Sequence, residues 1–519
     1  MKKNNMKRLA LFVGACMLSM LFTSSFVAPV KAADIIYVDA PTGNYWEDHP
    51  NIENALNAIA PGGTVVLAEG TYAIHKALVT EGFHGTIIGA GMDVTYIEAV
   101  RGDSGYFERT HMSAYDGWYG PGSEDHFTAL LYFGSPETSL AVSDLTLEVN
   151  EPDIAEDSYT YYPASGGEPE FYDWWGTGNN IASGIEIATF TDCDTSFENV
   201  RMKGLYTLIM PTDDNPYGGA DVSPQTGLGL WWSSGGTHLV KDCVFESFGA
   251  FQCGLYGLDS AECVFESNTV TDGFRGFVTA FCAGLDVRVR NNYFQDIDCQ
   301  VIANFWLDGS MMKVSHNKMV NVEGGFWYNH NWRVTEGSRY LVEHNYIELK
   351  QYCWSGGIEV WESTDAKSEL VVVNNRIHSI DATAPYGPIS LNGVVDSVVA
   401  FNKITGRGVA AMYIGAAWNT ADDVSIIGNN VQNFEVTGGY WDLPIYHPWA
   451  EDPIEGEGRI WLGELSRNCL VVGGCNKKNV VNQGTDNIVV GVDRIGWRKL
   501  GQLVSATMKQ IWDMKRAFR

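Results

Sequence analysis

Residues 371–377 read VVVNNRI and residues 341–347 read LVEHNYI: apolar residues, an Asn, one further residue, then another apolar one. Aligning on that Asn gives Asn268, Asn292, Asn317, Asn345, Asn375, Asn402 and Asn430, spaced by 24 to 30 residues. Phe265, Val289, Val314, Val342, Val372, Val399 and Ile427 precede them by three positions, and Val270, Phe294, Met319, Ile347, Ile377, Ile404 and Val431 follow within two. Leu145, Val200 and Cys243 extend the frame upstream, so ten turns of chain share it. A period of this length signals a solenoid. Each period holds a second short strand ahead of the first, among them GIEIATF, LGLWWSS, VIANFWLD, FWYNHNW, GIEVWES and PISLNG. Short strands without an intervening helical pattern, turned at Gly-rich corners, predict an all-β right-handed parallel β-helix. The Asn residues are then scaffold: a tight corner favours Asn in the left-handed conformation, and stacked amides can bond from coil to coil.

At the start of this region, NIENALNAIAPGGTVVLAEGTY (residues 51–72) reads as a short amphipathic helix, a Pro-Gly-Gly turn and a first strand. That stretch resembles the N-terminal cap and first coil of the pectin-lyase-like superfamily, and with the coils the likeness spans about 35–490. The resemblance implies the right-handed β-helix and a choice among polysaccharide lyases, glycoside hydrolases, epimerases, tailspikes and proteins without catalysis. Asp213-Asp214 is similar to the paired acids of the polygalacturonase type, but the Gly-His-Gly and Arg-Ile-Lys motifs of that group are absent. So are the Trp-Ile-Asp-His of classical pectate lyases and the Asp-Pro-His-Asp of mannuronan epimerases.

Three stretches break the period, at about 101–135, 150–180 and 211–227, and they are acidic and rich in Trp and Tyr. Insertions on a solenoid tend to gather on one face and build its binding site. Residues 491–519 carry Ile495, Leu500, Leu503, Met508, Ile511 and Trp512 at helical spacing between basic residues. The two readings of that tail are a cap over the open edge of the last coil and a membrane-surface helix. Residues 1–32 have the basic start, apolar run and Val30-Lys31-Ala32 site of a secretory signal peptide, with Val13-Gly14-Ala15-Cys16 as a lipobox-like alternative. Signal, β-helix (33–490) and tail (491–519) are the expected domains, and the expected location is outside the cytoplasm, secreted or periplasmic.

A formal charge of −29 over 519 residues disfavours nucleic acid and anionic membrane as partners. It argues for a neutral polysaccharide, or for an anionic one held through Ca²⁺ on carboxylates such as those of the insertions. No other cofactor is implied. The cysteines have no metal-ligand spacing; Cys243 reads as a small buried hydrophobe and Cys469 with Cys475 as a local disulfide.

Alternation in the second strand family sorts its faces. With Ile185, Ile187, Leu228, Leu230, Phe326, Ile358, Val360, Ile389, Leu391, Met412 and Ile414 inward, the outward set is Glu186, Trp231, Tyr256, Trp327, Asn329, Glu359, Trp361, Ser390, Asn392 and Tyr413. Aromatic faces stack on sugar rings while amides and carboxylates take hydroxyls, so Trp231, Tyr256, Trp327, Asn329, Trp361, Asn392 and Tyr413 are the candidate glycan contacts. Glu186 and Glu359 lie six coils apart, roughly 29 Å at about 4.8 Å per coil. By contrast Asp308, His330, Arg333, Glu359 and Glu362 come from three successive coils and form the candidate catalytic set. Paired carboxyls would serve a hydrolase. A base with a cation, such as His330 with Arg333, would serve a lyase. A non-catalytic, carbohydrate-binding or cell-surface solenoid would keep the aromatics without a sound acid and base.

Overall fold

The computed structural model describes residues 35–103, 107–108, 128–134, 139–149, 159–160, 181–188, 192–205, 207–209, 219–221, 226–231, 235–249, 251–330, 335–351, 356–362, 367–381, 387–415, 420–437, 439–440, 453–454, 458–473, 477–490 and 497–518. Among the described residues thirty-eight strands pair in parallel in one continuous network. The chain winds as a right-handed parallel β-helix with three strand positions per coil. A first sheet runs through strands such as Met311–Ser315, Arg339–Glu343 and Ser368–Val373. After a short corner comes a second sheet, with Tyr346–Gln351 and Arg376–Asp381. A third contains Thr226–Trp231, Phe251–Tyr256, Ile358–Glu362 and Ile389–Asn392. Lys318–His330 bends from the second sheet into the third without a break, since its early residues pair with Tyr346–Gln351 and its later ones with Ile358–Glu362. All eleven residues assigned inward in the third sheet belong to the single axial core.

The Asn file is present, with one change of member. Backbone N–H groups of Asn268, Asn292, Asn317, Asn345 and Asn375 each donate to the side-chain Oδ1 of the next Asn at 2.8–3.0 Å. Each side-chain Nδ2 also donates to that oxygen at 2.9–3.1 Å. Asn402 continues the file to Asn429, not Asn430. Asn429 is buried, whereas Asn430 is exposed and accepts from Gln432 N–H. Ile426 and Val431 therefore flank the true member, both in the core. A second correction concerns the corner itself. The left-handed residue is the one before each ladder position: Ser267, Asn291, His316, His344, Asn374, Phe401 and Gly428 have φ of 57–63°. The ladder Asn is there to satisfy buried amides, not to make the turn. A serine file, which the sequence reading did not pick out, does the same between the third and first sheets. Leu285, Ser310 and Ser338 N–H groups each donate to the hydroxyl of Ser310, Ser338 and Ser368 at 3.1 Å.

Helix α1, Tyr45–Ala58, begins six residues before the stretch that suggested it, with Asn44 as N-cap. Buried Asp48 accepts from Thr42 N–H, Gly43 N–H and Ala73 N–H at 2.8, 2.9 and 3.1 Å, pinning the helix to strand Gly70–Ile74. At the other end, α2 spans Trp497–Ala517. It lies along the outer face of the first sheet, where Ile511, Met514 and Phe518 pack on Leu341, Val371, Val373, Val398 and Ala400. Among the described residues no helix is long and apolar enough to cross a membrane.

The tail is latched by charge. Glu343, 4 % exposed, meets Lys313 at 3.1 Å and Lys515 of α2. Burial opposes its ionisation, but the two ammonium groups outweigh that and bring its pKa below the ordinary carboxylate value. A carboxylate with a lowered folded pKa contributes stability above its unfolded pKa, and that contribution is lost as pH falls through the folded one. Glu343→Gln should mimic the acid state: trypsin at neutral pH should cut α2 from the variant while sparing it in the parent, as read by mass spectrometry.

The seven described cysteines, Cys193, Cys243, Cys253, Cys263, Cys282, Cys299 and Cys469, are all free and buried. The disulfide reading of Cys469 is thereby corrected: its thiol donates to the Arg467 carbonyl at 3.3 Å, and burial pushes its pKa up to about 11. Cys475 lies outside the described residues. Cys243 is the small buried hydrophobe expected, held in the Asn file by its N–H to Asn268 Oδ1 at 2.9 Å.

Candidate functional site

The outer face of the third sheet consists of two rows, fixed by strand register. One runs Tyr132, Glu186, Gly229, Gly254, Val278, Ala303, Trp327, Glu359, Ser390 and Tyr413. Two positions along the strands, the other includes Trp231, Tyr256, Ala280, Phe305, Asn329, Trp361 and Asn392. The parity inferred from alternation is thus correct, but the face is not an open groove. Glu186, Ser390 and Asn392 are fully buried, Trp231, Glu359, Tyr256 and Tyr413 are 1–5 % exposed, and Trp327 and Trp361 are half-buried.

The upstream part of this face is apolar. Trp231 and Tyr256 stack at 4.6 Å and join Phe251, Val278, Ala280 and Ala303 in a cluster separate from the axial core. The glycines of the first row make room for these rings. A Cβ on Gly229 would stand 2.6 Å from Trp231 Nε1, and one on Gly254 2.9 Å from the Phe251 ring. Trp231 and Tyr256 therefore stabilise the sheet by covering it, and are not free platforms for a sugar.

Downstream the rows turn polar. Glu359 sits between Trp327 and Ser390 of the adjacent coils, and its carboxylate accepts from Gly356 N–H at 3.0 Å. Asn392 donates to Ser390 Oγ at 3.3 Å, and the Tyr413 ring packs on Trp461 at 4.7 Å. His330 and Glu362 are register partners at the ends of neighbouring strands. Their strand positions have the parity of Tyr328 and Val360, opposite to that of Glu359; their side chains, like that of Asn329, lie outside the described residues. So does Arg333. Asp308 is used otherwise: it accepts from Thr335 N–H at 3.1 Å, Thr335 Oγ1 at 2.8 Å and Glu336 N–H at 2.6 Å, tying the following loop to its own coil. Asp213, Asp214 and most of the three insertions also lie outside the described residues.

A second polar group on this face, which sequence spacing did not single out, is Tyr132 beside Glu186. Burial, with Glu186 and Glu81 nearby, pushes the Tyr132 phenol up to about 12. The signal was available, because LLYFG has the same alternation as GIEIA, but its coil lies between two insertions. The stacked cations Arg288 and Lys313 are ion-paired, Arg288 with Asp286 at 2.9 Å and Glu262 at 3.2 Å, Lys313 with Glu343. Among the described residues no three His, Cys, Asp or Glu side chains gather as a metal-binding group.

No family model and no curated protein sequence matches this chain. Solved structures do. DFA-IIIase from Arthrobacter chlorophenolicus A6 without its lid is 13 % identical, over 89 % of this chain and all of its own, at a TM-score of 0.47. A family 28 exopolygalacturonase of Yersinia enterocolitica is 11 % identical, over 78 % of this chain and 75 % of its own, at 0.49. The A-module of the Azotobacter vinelandii mannuronan C-5 epimerase AlgE6 is 13 % identical, over 88 % and 99 %, at 0.39.

Proposed function

We propose that the chain is a polysaccharide-degrading enzyme acting at the downstream part of the third sheet's outer face, with Glu359 as its proton-transfer group. The observation that carries this reading is the placement of Glu359: a buried carboxyl outside the axial core, on the outer row between Trp327 and Ser390 and two residues before Trp361, whose oxygen accepts the Gly356 N–H. Desolvating a carboxylate is costly, and such groups concentrate where proton transfer is needed. The half-buried indoles of Trp327 and Trp361 supply apolar faces for a sugar ring. Among the described residues the register neighbours of Glu359 include no second carboxyl. A hydrolytic pair would therefore draw on Glu362 or an insertion, and a lyase on His330 with Arg333.

The test is to incubate the protein with a panel of neutral and uronate polysaccharides, with and without EDTA, following reducing ends and unsaturated products separately. Reducing ends alone mark a hydrolase, both signals a lyase, and loss with EDTA a metal-held uronate. The second reading, a non-catalytic glycan-binding solenoid, is favoured by the lack of a second carboxyl among the described register neighbours of Glu359. Binding without either product would establish it.

A further inference from the structure

We infer that the corner beside the Asn file is a binding site for an anionic polysaccharide, on a different face from the third sheet. A groove of about 700 Å³ crosses this corner, lined by His316, His344, Tyr346, Arg376, Phe401 and Lys403 among others. The fold builds it periodically. The left-handed corner residues form one file, and two positions later the first outward residues of the second sheet form another: Lys318, Tyr346, Arg376 and Lys403 in successive coils. At about 4.8 Å per coil, that file presents side chains at nearly the length of one pyranose unit.

Its charge is out of keeping with the rest of the surface. The protein has 63 acidic residues against 34 basic ones. Many cations elsewhere are matched, as in Arg201 with Asp93, Lys203 with Glu148, Arg290 with Glu266 and Arg339 with Glu369, whereas Arg467, Lys478 and Lys509 are unmatched among the described residues but lie on separate elements. Arg376 and Lys403 are exposed, lie in adjacent coils, and have no carboxylate partner among the described residues. Glu348, two residues beyond Tyr346, accepts the Tyr346 hydroxyl at 2.7 Å. Two neighbouring cations without counter-charge repel each other, and a bound carboxylate or sulfate would relieve that.

The apolar surface points to sugar rings. Phe401 is 39 % exposed and occupies the left-handed corner at φ 57°, a position filled in other coils by Ser267, Asn291 and Asn374. A short polar residue is cheaper there, and an aromatic one leaves a ring in water. His316 and His344 stack at 5.0 Å and 16°, making a flat wall, and burial lowers the His344 pKa so that the imidazole is neutral near pH 7. Flat rings beside unpaired cations suit a glycan carrying carboxylates or sulfates. The strongly negative body would repel every polyanion at long range, and duplex DNA, with one charge per about 1.7 Å of axis, more than a glycan with about one charge per sugar, so binding rests on the local unpaired cations. The assignment does not depend on whether the third sheet cleaves anything.

The test is titration calorimetry of the full chain with polygalacturonate, a sulfated galactan and a neutral galactan. The parent should bind one or both anionic polymers, more weakly as salt rises, and the neutral one far less. Arg376→Gln combined with Lys403→Gln should weaken anionic binding by about tenfold, and Phe401→Ser should weaken it without altering its salt dependence. Both sites are exposed, so thermal unfolding should be unchanged and a loss of affinity is not a loss of fold. Equal binding by parent and double variant, no binding to either anionic polymer, or equal binding to the neutral galactan would each overturn the inference. Competition by duplex DNA as effective as that by polygalacturonate would overturn it in favour of a nucleic-acid surface.

Discussion

Asn345→Leu should destabilise the middle of the β-helix by about 4 kcal/mol, near the upper end of what single substitutions do. Asn345 Oδ1 accepts from both the backbone N–H and the side-chain Nδ2 of Asn317 at 3.0 Å, and its own Nδ2 donates to the Val314 carbonyl and to Asn375 Oδ1 at 3.0 Å. Leucine fills a similar volume, so no cavity opens. What it does is strand buried polar groups on both adjacent coils, and each unsatisfied group costs about 1–3 kcal/mol. Apolar residues are tolerated in this slot where consecutive coils are all apolar, as with Leu145 and Val200, so the cost comes from the mismatch with polar neighbours. Because solenoid coils unfold semi-independently, the sensitive measurement is hydrogen exchange at the amides of residues 314–319 and 342–347, alongside the urea midpoint. Asn430→Ala is the control: that side chain is exposed outside the file, and its loss should change stability by less than about 0.5 kcal/mol.

The contrast between those two positions shows why the fold was legible in the sequence and its details less so. Ladder membership is decided by a hydrogen bond. Two adjacent Asn residues, Asn429 and Asn430, satisfy the apolar spacing about equally, and only the coil register chooses between them. The serine file escaped notice because Ser is common and its donors belong to another coil. Strand alternation gave the outward rows correctly, since the period of two is a property of the backbone. It could not give exposure, which depends on what lies over the sheet, and Trp231 and Tyr256 proved to be packed and not offered to solvent. Likewise the periodic apolar stripe of α2 announced a surface to be covered, but that surface is the outer face of the first sheet, not the open edge of the last coil or a membrane. Its outward Leu341, Val371 and Val398 stand in the same slot as Arg288 and Lys313 two and one coils before.

Glu359→Gln should lower polysaccharide cleavage by about 10²- to 10⁴-fold, the contribution of a positioned acid or base, while leaving the coil intact. The isostere is informative because it separates the two roles the carboxyl has. Its amide oxygen can still accept the Gly356 N–H that Glu359 Oε2 accepts at 3.0 Å, so the turn before the strand Ile358–Glu362 keeps its bond. The ability to give up or take a proton is lost. If Glu359 were only a structural acceptor, the variant would cleave as the parent does, and the search would move to Glu362 and its register partner His330. The pH profile discriminates further: a residual rate in Glu359→Gln that no longer varies with pH on one limb assigns that limb to Glu359, whereas a profile merely scaled down points to displaced substrate. Glu359→Ala, by orphaning the buried Gly356 N–H, should also cost about 1–3 kcal/mol of stability. Loss of activity in the glutamine variant at unchanged stability, against loss of both in the alanine variant, is the combination that a catalytic carboxyl produces and a scaffold carboxyl does not.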